Sequence, residues 1–220
     1  MSDISTSKCF VVRSDVDSRE MERILNSTSH DAITNFVDYF LVSARDTLTN
    51  LADNFSEDAY KIFSTPNAGG TSIVSESLSF EIFRVCYGAK LLKTETEVCY
   101  FPEGGSMTDY VMCIFNQTVA VSVTRAIRYG GIFATEDAVW LLEKKLKTIR
   151  NSTRNSEIKW SRQILHVWCL DEESMYILIA AWIDLPDDCK HNSVLMVSLM
   201  VRDNDYKNVL FYNPPKIKKR

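Results

Sequence analysis

Two runs of β-branched and apolar residues, Asp109 to Phe115 and Thr118 to Ala126, are parted only by Asn116-Gln117. A connection that short joins antiparallel strands, because parallel strands need a crossover of roughly a dozen residues or more. Both runs are apolar at successive as well as alternate positions, which is the composition of strands covered on both faces. Helices must therefore flank this hairpin, and the neighbouring segments supply them. From Ile73 to Tyr87 the residues Val74, Leu78, Ile82 and Val85 recur at helical spacing, and Gly88 follows, a residue suited to the left-handed turn that ends a helix.

The other elements fall into order around the hairpin. Leu91 to Phe101 alternates Lys93, Glu95 and Glu97 with Thr94, Thr96, Val98 and Tyr100, the period of a strand with one polar face. A helix begins at Thr135, which can cap it. Glu136 and Asp137 stand at its start, and Lys144, Lys145, Lys147 and Arg150 toward its end, a distribution that complements the helix dipole. Gln163 to Cys169 reads as a strand, Glu172 to Ile183 as a helix and Val194 to Val201 as an apolar strand. The order αβββαβ, followed by αβ, predicts the α/β class with a mixed sheet and right-handed crossovers.

The first seventy residues differ in texture. In Asp31 to Leu51 the apolar positions Ile33, Phe36, Val37, Phe40, Leu41, Ala44, Leu48 and Leu51 step by threes and fours, which predicts an amphipathic helix. Its stretch from Phe36 to Leu48 covers the sheet or meets a protein partner. Ser64 to Gly70 has the turn chemistry of a linker. The division is then a helical extension over 1–70, an α/β core over 71–212 and a basic tail over 213–220.

Net charge is −4 and the pI is near 5.5, which argues against a protein that grips nucleic acid by bulk electrostatics and leaves only local patches. Lys144, Lys145 and Lys147, with Lys218, Lys219 and Arg220 of the tail, are the candidate phosphate contacts. For both groups a solvated surface is the commoner role. No apolar run reaches the roughly 20 residues of a membrane span, and no basic-then-apolar leader is visible, so an intracellular protein, cytoplasmic or nuclear, is expected. Six cysteines without a Cys-x-x-Cys pair, and three isolated histidines, disfavour zinc and a disulfide framework. His166, Trp140, Trp168 and Trp182 read as core residues. No nucleophile elbow, phosphate-binding glycine loop or dinucleotide fingerprint occurs among the seven glycines.

The order αβββαβ resembles the common core of restriction-endonuclease-like nucleases. That resemblance implies an Asp at the start of the second strand, a Glu-x-Lys on the third and often a Glu on the first helix. Asp109 stands at the first place. Ser122-Val123-Thr124-Arg125 stands where the Glu-x-Lys would be, so a carboxylate and an ammonium are missing from the third strand. Glu76 and Glu81 lie on the first helix, and Glu95 and Glu97 on the first strand. Carboxylates in such a site hold a hard cation, and the resemblance implies magnesium or manganese between Asp109 and Glu97. Asp109 could equally cap a strand entry, and Arg125 could form an ion pair with Glu95 or Glu97.

Thr108 to Tyr110, Val121 to Ala126, Leu141 to Leu146 and Ile164 to Trp168 also resemble a eukaryotic family to which no activity is attached. It shares Thr-Asp-Tyr, Val-Ser-Val-Thr-Arg-Ala, Leu-Leu-x-Lys-Lys-Leu and Ile-Leu-His-Val-Trp, within Ser75 to Trp168. Two functions follow as expectations. One is a catalytically impaired or divergent nuclease-like protein that binds nucleic acid; the other is a non-enzymatic interaction or scaffold domain that retains the fold. Under the first, Glu81, Glu95, Glu97, Asp109, Ser122, Thr124 and Arg125 should line one polar pocket.

Overall fold

The computed structural model describes residues 3–39, 48–66, 72–103, 105–201 and 210–211. Strands β1 (Asp3–Thr6) and β2 (Phe10–Ser14), helix α1 (Ser18–Asn26), strand β3 (Ala32–Tyr39) and helices α2 (Leu48–Asp53) and α3 (Glu57–Ser64) come first. They are followed by helix α4 (Ile73–Tyr87), strand β4 (Lys90–Thr94), a 3-10 turn (Glu95–Glu97) and the hairpin β5 (Tyr110–Ile114) and β6 (Gln117–Ala126). Helix α5 (Thr135–Asn155), strand β7 (Arg162–Cys169), helices α6 (Glu172–Asp184) and α7 (Asp187–Lys190) and strand β8 (Ser193–Met200) complete the order. The mixed α/β class expected from the sequence is what forms, as one eight-stranded sheet in the order β1-β2-β3-β8-β7-β6-β5-β4.

The hairpin fixes the middle of this sheet. Tyr110 lies opposite Val121 and Ile114 opposite Gln117. Phe115 and Asn116 make the turn with φ of 48° and 60°, the geometry whose twist matches that of the flanking strands. The loop thus sits one residue earlier than Asn116-Gln117. From β6 onward pairing is parallel, β6 to β7 to β8, with α5 and α6 as the crossovers.

Alternation along the parallel strands divides the interior into two layers. Val121, Val123, Ile164, Trp168, Val194 and Met196 pack with Leu78 and Ile82 of α4. Leu165, Val167, Leu195 and Val197 pack with Leu142, Leu146 and Ile149 of α5 and with Leu178 and Trp182 of α6. Trp140 of α5 is a correction: it is exposed, and Lys144 Nζ lies 4.5 Å from its ring centre.

Three local expectations are overturned. The helix over Asp31 to Leu51 gives way to a strand over Ala32–Tyr39, which pairs parallel with β8, Ala32 opposite Leu195 and Val37 opposite Met200. The N-terminal region is therefore not a helical extension, since β1, β2 and β3 continue the sheet of the core. Positions 40–47 of the expected helix, the linker glycines and the tail at 213–220 lie outside the described residues. Phe36, taken as part of a partner-binding helix, belongs to β3 and packs against the second layer, with the Arg13 guanidinium 4.9 Å from its ring centre. The strand expected over Leu91 to Phe101 stops at Thr94. There Glu97 folds back to accept the Thr94 N–H at 2.9 Å, so Glu95 and Glu97 sit on a 3-10 turn. Finally, Ala134 precedes α5 as its cap, its N–H donating to the Asp137 carboxylate at 3.0 Å in place of a Thr135 cap.

Deleting residues 1–70 strips β8 of β3 and removes Phe10, Val12, Ile33 and Val37 from the first core layer. A chain so shortened is expected to aggregate or to lose its near-ultraviolet circular dichroism. A monomeric fragment with a cooperative melt would show that the N-terminal strands are dispensable.

Candidate functional site

Asp109 is the residue before β5, and its position follows from how the hairpin ends. The Asp109 N–H donates to Val121 O at 3.0 Å, which closes the backbone ladder. Its carboxylate then accepts the N–H of Val123 at 2.5 Å, the next donor along β6. Lys145, from α5, donates to the carbonyl of the same Val123 at 3.2 Å. One carboxylate and one ammonium thus hold the two polar groups of a single β6 residue.

Glu76 comes to this point from the opposite layer. It lies in the first turn of α4 and is 2% exposed. Its carboxyl is pushed up to about 8, first by burial and then by the charges of Asp109 and Glu95, against a hydrogen bond from Ser72 and the charge of Lys145. Asp109 keeps some contact with solvent, yet desolvation raises its pKa as well, against Lys145 and the Val123 N–H. Two carboxyl groups forced together in a poorly hydrated place cannot both ionise freely, so one retains a proton near neutral pH.

A neutral network holds the hairpin mouth. Tyr100 Oη accepts the Thr108 N–H at 2.9 Å, and Thr108 Oγ1 donates to Val121 O at 2.8 Å. The amide of Gln163, fully buried on β7, donates to Thr108 Oγ1 and to Ser122 Oγ, both at 3.2 Å. Its oxygen accepts from Thr153 Oγ1 of α5 at 2.9 Å. The segment carrying Asp109 is thereby tied to β6, β7 and α5.

Only part of the expected pocket assembles. Glu76 lies within electrostatic reach of Asp109, Glu95 and Lys145, and Asp109 within reach of Lys145, while Ser122 accepts from the Gln163 amide. Glu81 is engaged elsewhere: its carboxylate lies 2.6 Å from Arg84 and accepts from Ser56 Oγ at 2.6 Å. Glu97 pairs with Lys61 at 2.8 Å, which holds its carboxyl below the usual range. The carboxylate beside Asp109 is therefore Glu76, where the sequence pointed to Glu97. Arg125 donates to the Leu210 carbonyl at 2.7 Å instead of pairing with Glu95 or Glu97. Thr124 follows Val123 on β6, half-buried. Lys144 and Lys147 are exposed on α5, and Lys218, Lys219 and Arg220 lie outside the described residues. Among the described residues no three His, Cys, Asp or Glu side chains are grouped to hold a metal ion. His166 is core: Ser79 Oγ at 2.6 Å and Ser198 Oγ at 2.8 Å satisfy both ring nitrogens, and burial lowers its pKa to about 3.

Lys145, Gln163, Thr108 and Tyr100 are the site residues whose contacts the sequence did not reveal. For Lys145 the signal was present, because it is seven residues after Ala138 and three after Leu142, both on the buried face of α5.

No protein-family model matches the chain, and no solved structure matches it. The "AAC-rich mRNA clone AAC4 protein" of Dictyostelium discoideum is 38% identical to it over 151 residues, which are 65% of this chain and 22% of that protein. The chain thus spans 22% of the length of the curated relative it matches. Among the described residues no helix is long and apolar enough to cross a membrane.

The Glu76 carboxyl gives the site a pH signature. Its folded pKa, about 8, is above the ordinary 4.5, so the stability it confers is complete below pH 4.5 and is lost as pH rises toward 8. Glu76→Gln keeps a neutral group of the same shape. It should raise the melting temperature at pH 8.5 and leave it nearly unchanged at pH 4.5, a difference worth on the order of a few kcal/mol. Equal shifts at both pH values would show that folding does not raise the Glu76 pKa.

Proposed function

We propose that this protein is a divergent restriction-endonuclease-like protein whose phosphodiester-directed site is built on Asp109 and Glu76, with Lys145 supplying the ammonium missing from the third strand. The observation that carries the reading is that Asp109 and Lys145 close on the same β6 residue, Val123, at one end of the β5–β6 hairpin, with the buried Glu76 within electrostatic reach of both. The order of elements from α4 to β7 supports it, with an antiparallel meander of three strands, a crossover helix and a fourth strand parallel to the third.

The donor set suits a hard cation. Magnesium is commonly held by one or two carboxylates with water completing its shell, and Glu76 and Asp109 are two carboxyl groups whose repulsion a cation would relieve. When bound, magnesium or manganese would polarise the phosphoryl oxygen and lower the pKa of a coordinated water. Glu76 and Asp109 would hold the cation, Asp109 while still accepting the Val123 N–H, and the Lys145 ammonium would oppose the charge of the phosphate. Ser122 and Thr124 offer hydroxyls where the family has a carboxylate and a lysine, so an activity weaker than that of an intact Glu-x-Lys site is expected. Lys144 and Lys147 extend the basic face of α5 for the nucleic-acid backbone.

A second reading rests on its own observation: Asp109 and Lys145 are both bonded to the Val123 peptide groups, as they would be in a scaffold that keeps the fold for protein contacts. Titration with manganese, with cleavage assays on single- and double-stranded DNA and RNA, separates the two. Asp109→Asn retains an acceptor for the Val123 N–H while removing the charge. Manganese should bind the wild type, and Asp109→Asn or Glu76→Gln should lower binding and cut cleavage roughly 100-fold or more, with no fall in melting temperature. A wild type that neither binds manganese nor cleaves any substrate overturns the nuclease reading in favour of the scaffold.

A further inference from the structure

At the other end of the parallel strands lies a cleft of about 650 Å³, a volume within the roughly 300–1,000 Å³ of small-ligand sites. It opens between the last turns of α5, the starts of β6 and β7, and the segments that precede β3 and β8. Its lining carries Arg150, Arg154, Arg162 and His191, and no aspartate or glutamate. Asp31 and Asp188 are the carboxylates near enough to be felt by Arg162 and His191. Neither lines the cleft, and Asp31 is already 3.8 Å from Arg23 and accepts from Ser29 Oγ at 2.5 Å.

Arg162 is the unusual member. It is 5% exposed, one terminal nitrogen donates to the Ser29 carbonyl, and its Nε has no hydrogen-bond partner. A buried guanidinium with an idle donor carries a desolvation cost that an anion would offset. Arg150 and Arg154 stand one turn apart on α5, exposed and without an ion pair among the described residues. Three guanidinium groups around one concavity recognise phosphate by paired N–H donors. The amides of Asn26, Gln117 and Asn192 and nearby hydroxyls form much of the remaining wall, and the His191 imidazole is the one ring among its lining residues. A wall of that kind hydrogen-bonds sugar hydroxyls and carries no Phe, Tyr or Trp face for a base.

We propose that this cleft binds a sugar-phosphate, with Arg162 as the buried anchor and Arg150 and Arg154 flanking the anion. It is separate from the Asp109 site and does not depend on cleavage there. The same chemistry is presented by a free phosphosugar and by the backbone of a nucleic-acid strand, and the experiment distinguishes them. The full chain, in buffer containing a chelator, is titrated with ribose 5-phosphate by calorimetry and with a fluorescein-labelled single-stranded oligonucleotide by anisotropy.

Binding of at least one probe is expected. The double variant Arg150→Gln, Arg154→Gln should weaken it at least tenfold with an unchanged melting temperature, and Asp109→Asn should leave it intact. Ribose 5-phosphate binding that the oligonucleotide does not compete for identifies a free phosphosugar; oligonucleotide binding lost in the double variant identifies a strand. Arg162→Lys keeps one charge but loses the fork, and should weaken binding wherever it folds. If neither probe binds, or if the double variant binds as the wild type does, the proposal is overturned.

Discussion

Ser79 of α4 meets two buried partners at once, Tyr110 Oη at 2.7 Å and His166 Nδ1 at 2.6 Å. The row continues through His166 Nε2 to Ser198 on β8 at 2.8 Å and on to Asn35 of β3 at 3.4 Å. Polar groups so deep call for partners, which all of this row find except the Asn35 Oδ1 at its end, and a one-residue slip of any strand would leave several more without them. The row therefore fixes how α4 lies across four strands. Its effect on the candidate site is direct: Glu76 is one turn before Ser79, and Asp109 is one residue before Tyr110. Fastening Ser79 to Tyr110 is what delivers a carboxyl from one layer to a carboxyl at the end of the hairpin.

At that meeting point structure and chemistry compete for the same atoms. Asp109 satisfies a β6 donor that the shorter β5 has left over, and Lys145 satisfies the carbonyl of the same residue. Both side chains are held in place by these bonds, as a positioned site requires, and both are drawn toward the backbone and away from a ligand. Glu76 has no such backbone duty. It is buried with a strongly perturbed carboxyl, the kind of group that folding alone gives little reason to keep.

The hairpin, α4 with its glycine stop and the helix–strand alternation after Thr135 could be read from the sequence because each has one covered stripe or a clean turn. β3 could not. Ile33 and Val37 enter the first core layer while Ala32 and Phe36 pack on the second, so a strand apolar on both faces imitates helical spacing. The turn at Glu95–Glu97 was hidden by an alternation of charged and uncharged residues that local hydrogen bonding overrode. Of the site, Asp109 was legible from its place before the second strand. Its pairing with Glu76, in preference to Glu81 or Glu97, depended on the rotation of α4, which the Ser79 contacts set and no spacing encodes. Gln163 stands between Arg162 and an apolar run, and nothing there marks an amide that must serve Thr108 and Ser122 together.

The parallel pairing of β3 with β8 also bears on how the chain is made. Asn35 and Ser198, joined across that pair, are 163 positions apart, so the first three strands leave the ribosome long before their neighbour exists. Until β8 emerges, β3 presents an open edge and two apolar faces, a state prone to pairing with other chains. Contacts closed over so long a loop make folding slow relative to that of a local hairpin. Assembly of the sheet is thus paced by the arrival of β8, and the hairpin–α5–β7 unit, whose partners lie close in sequence, is the part able to form while β1, β2 and β3 wait.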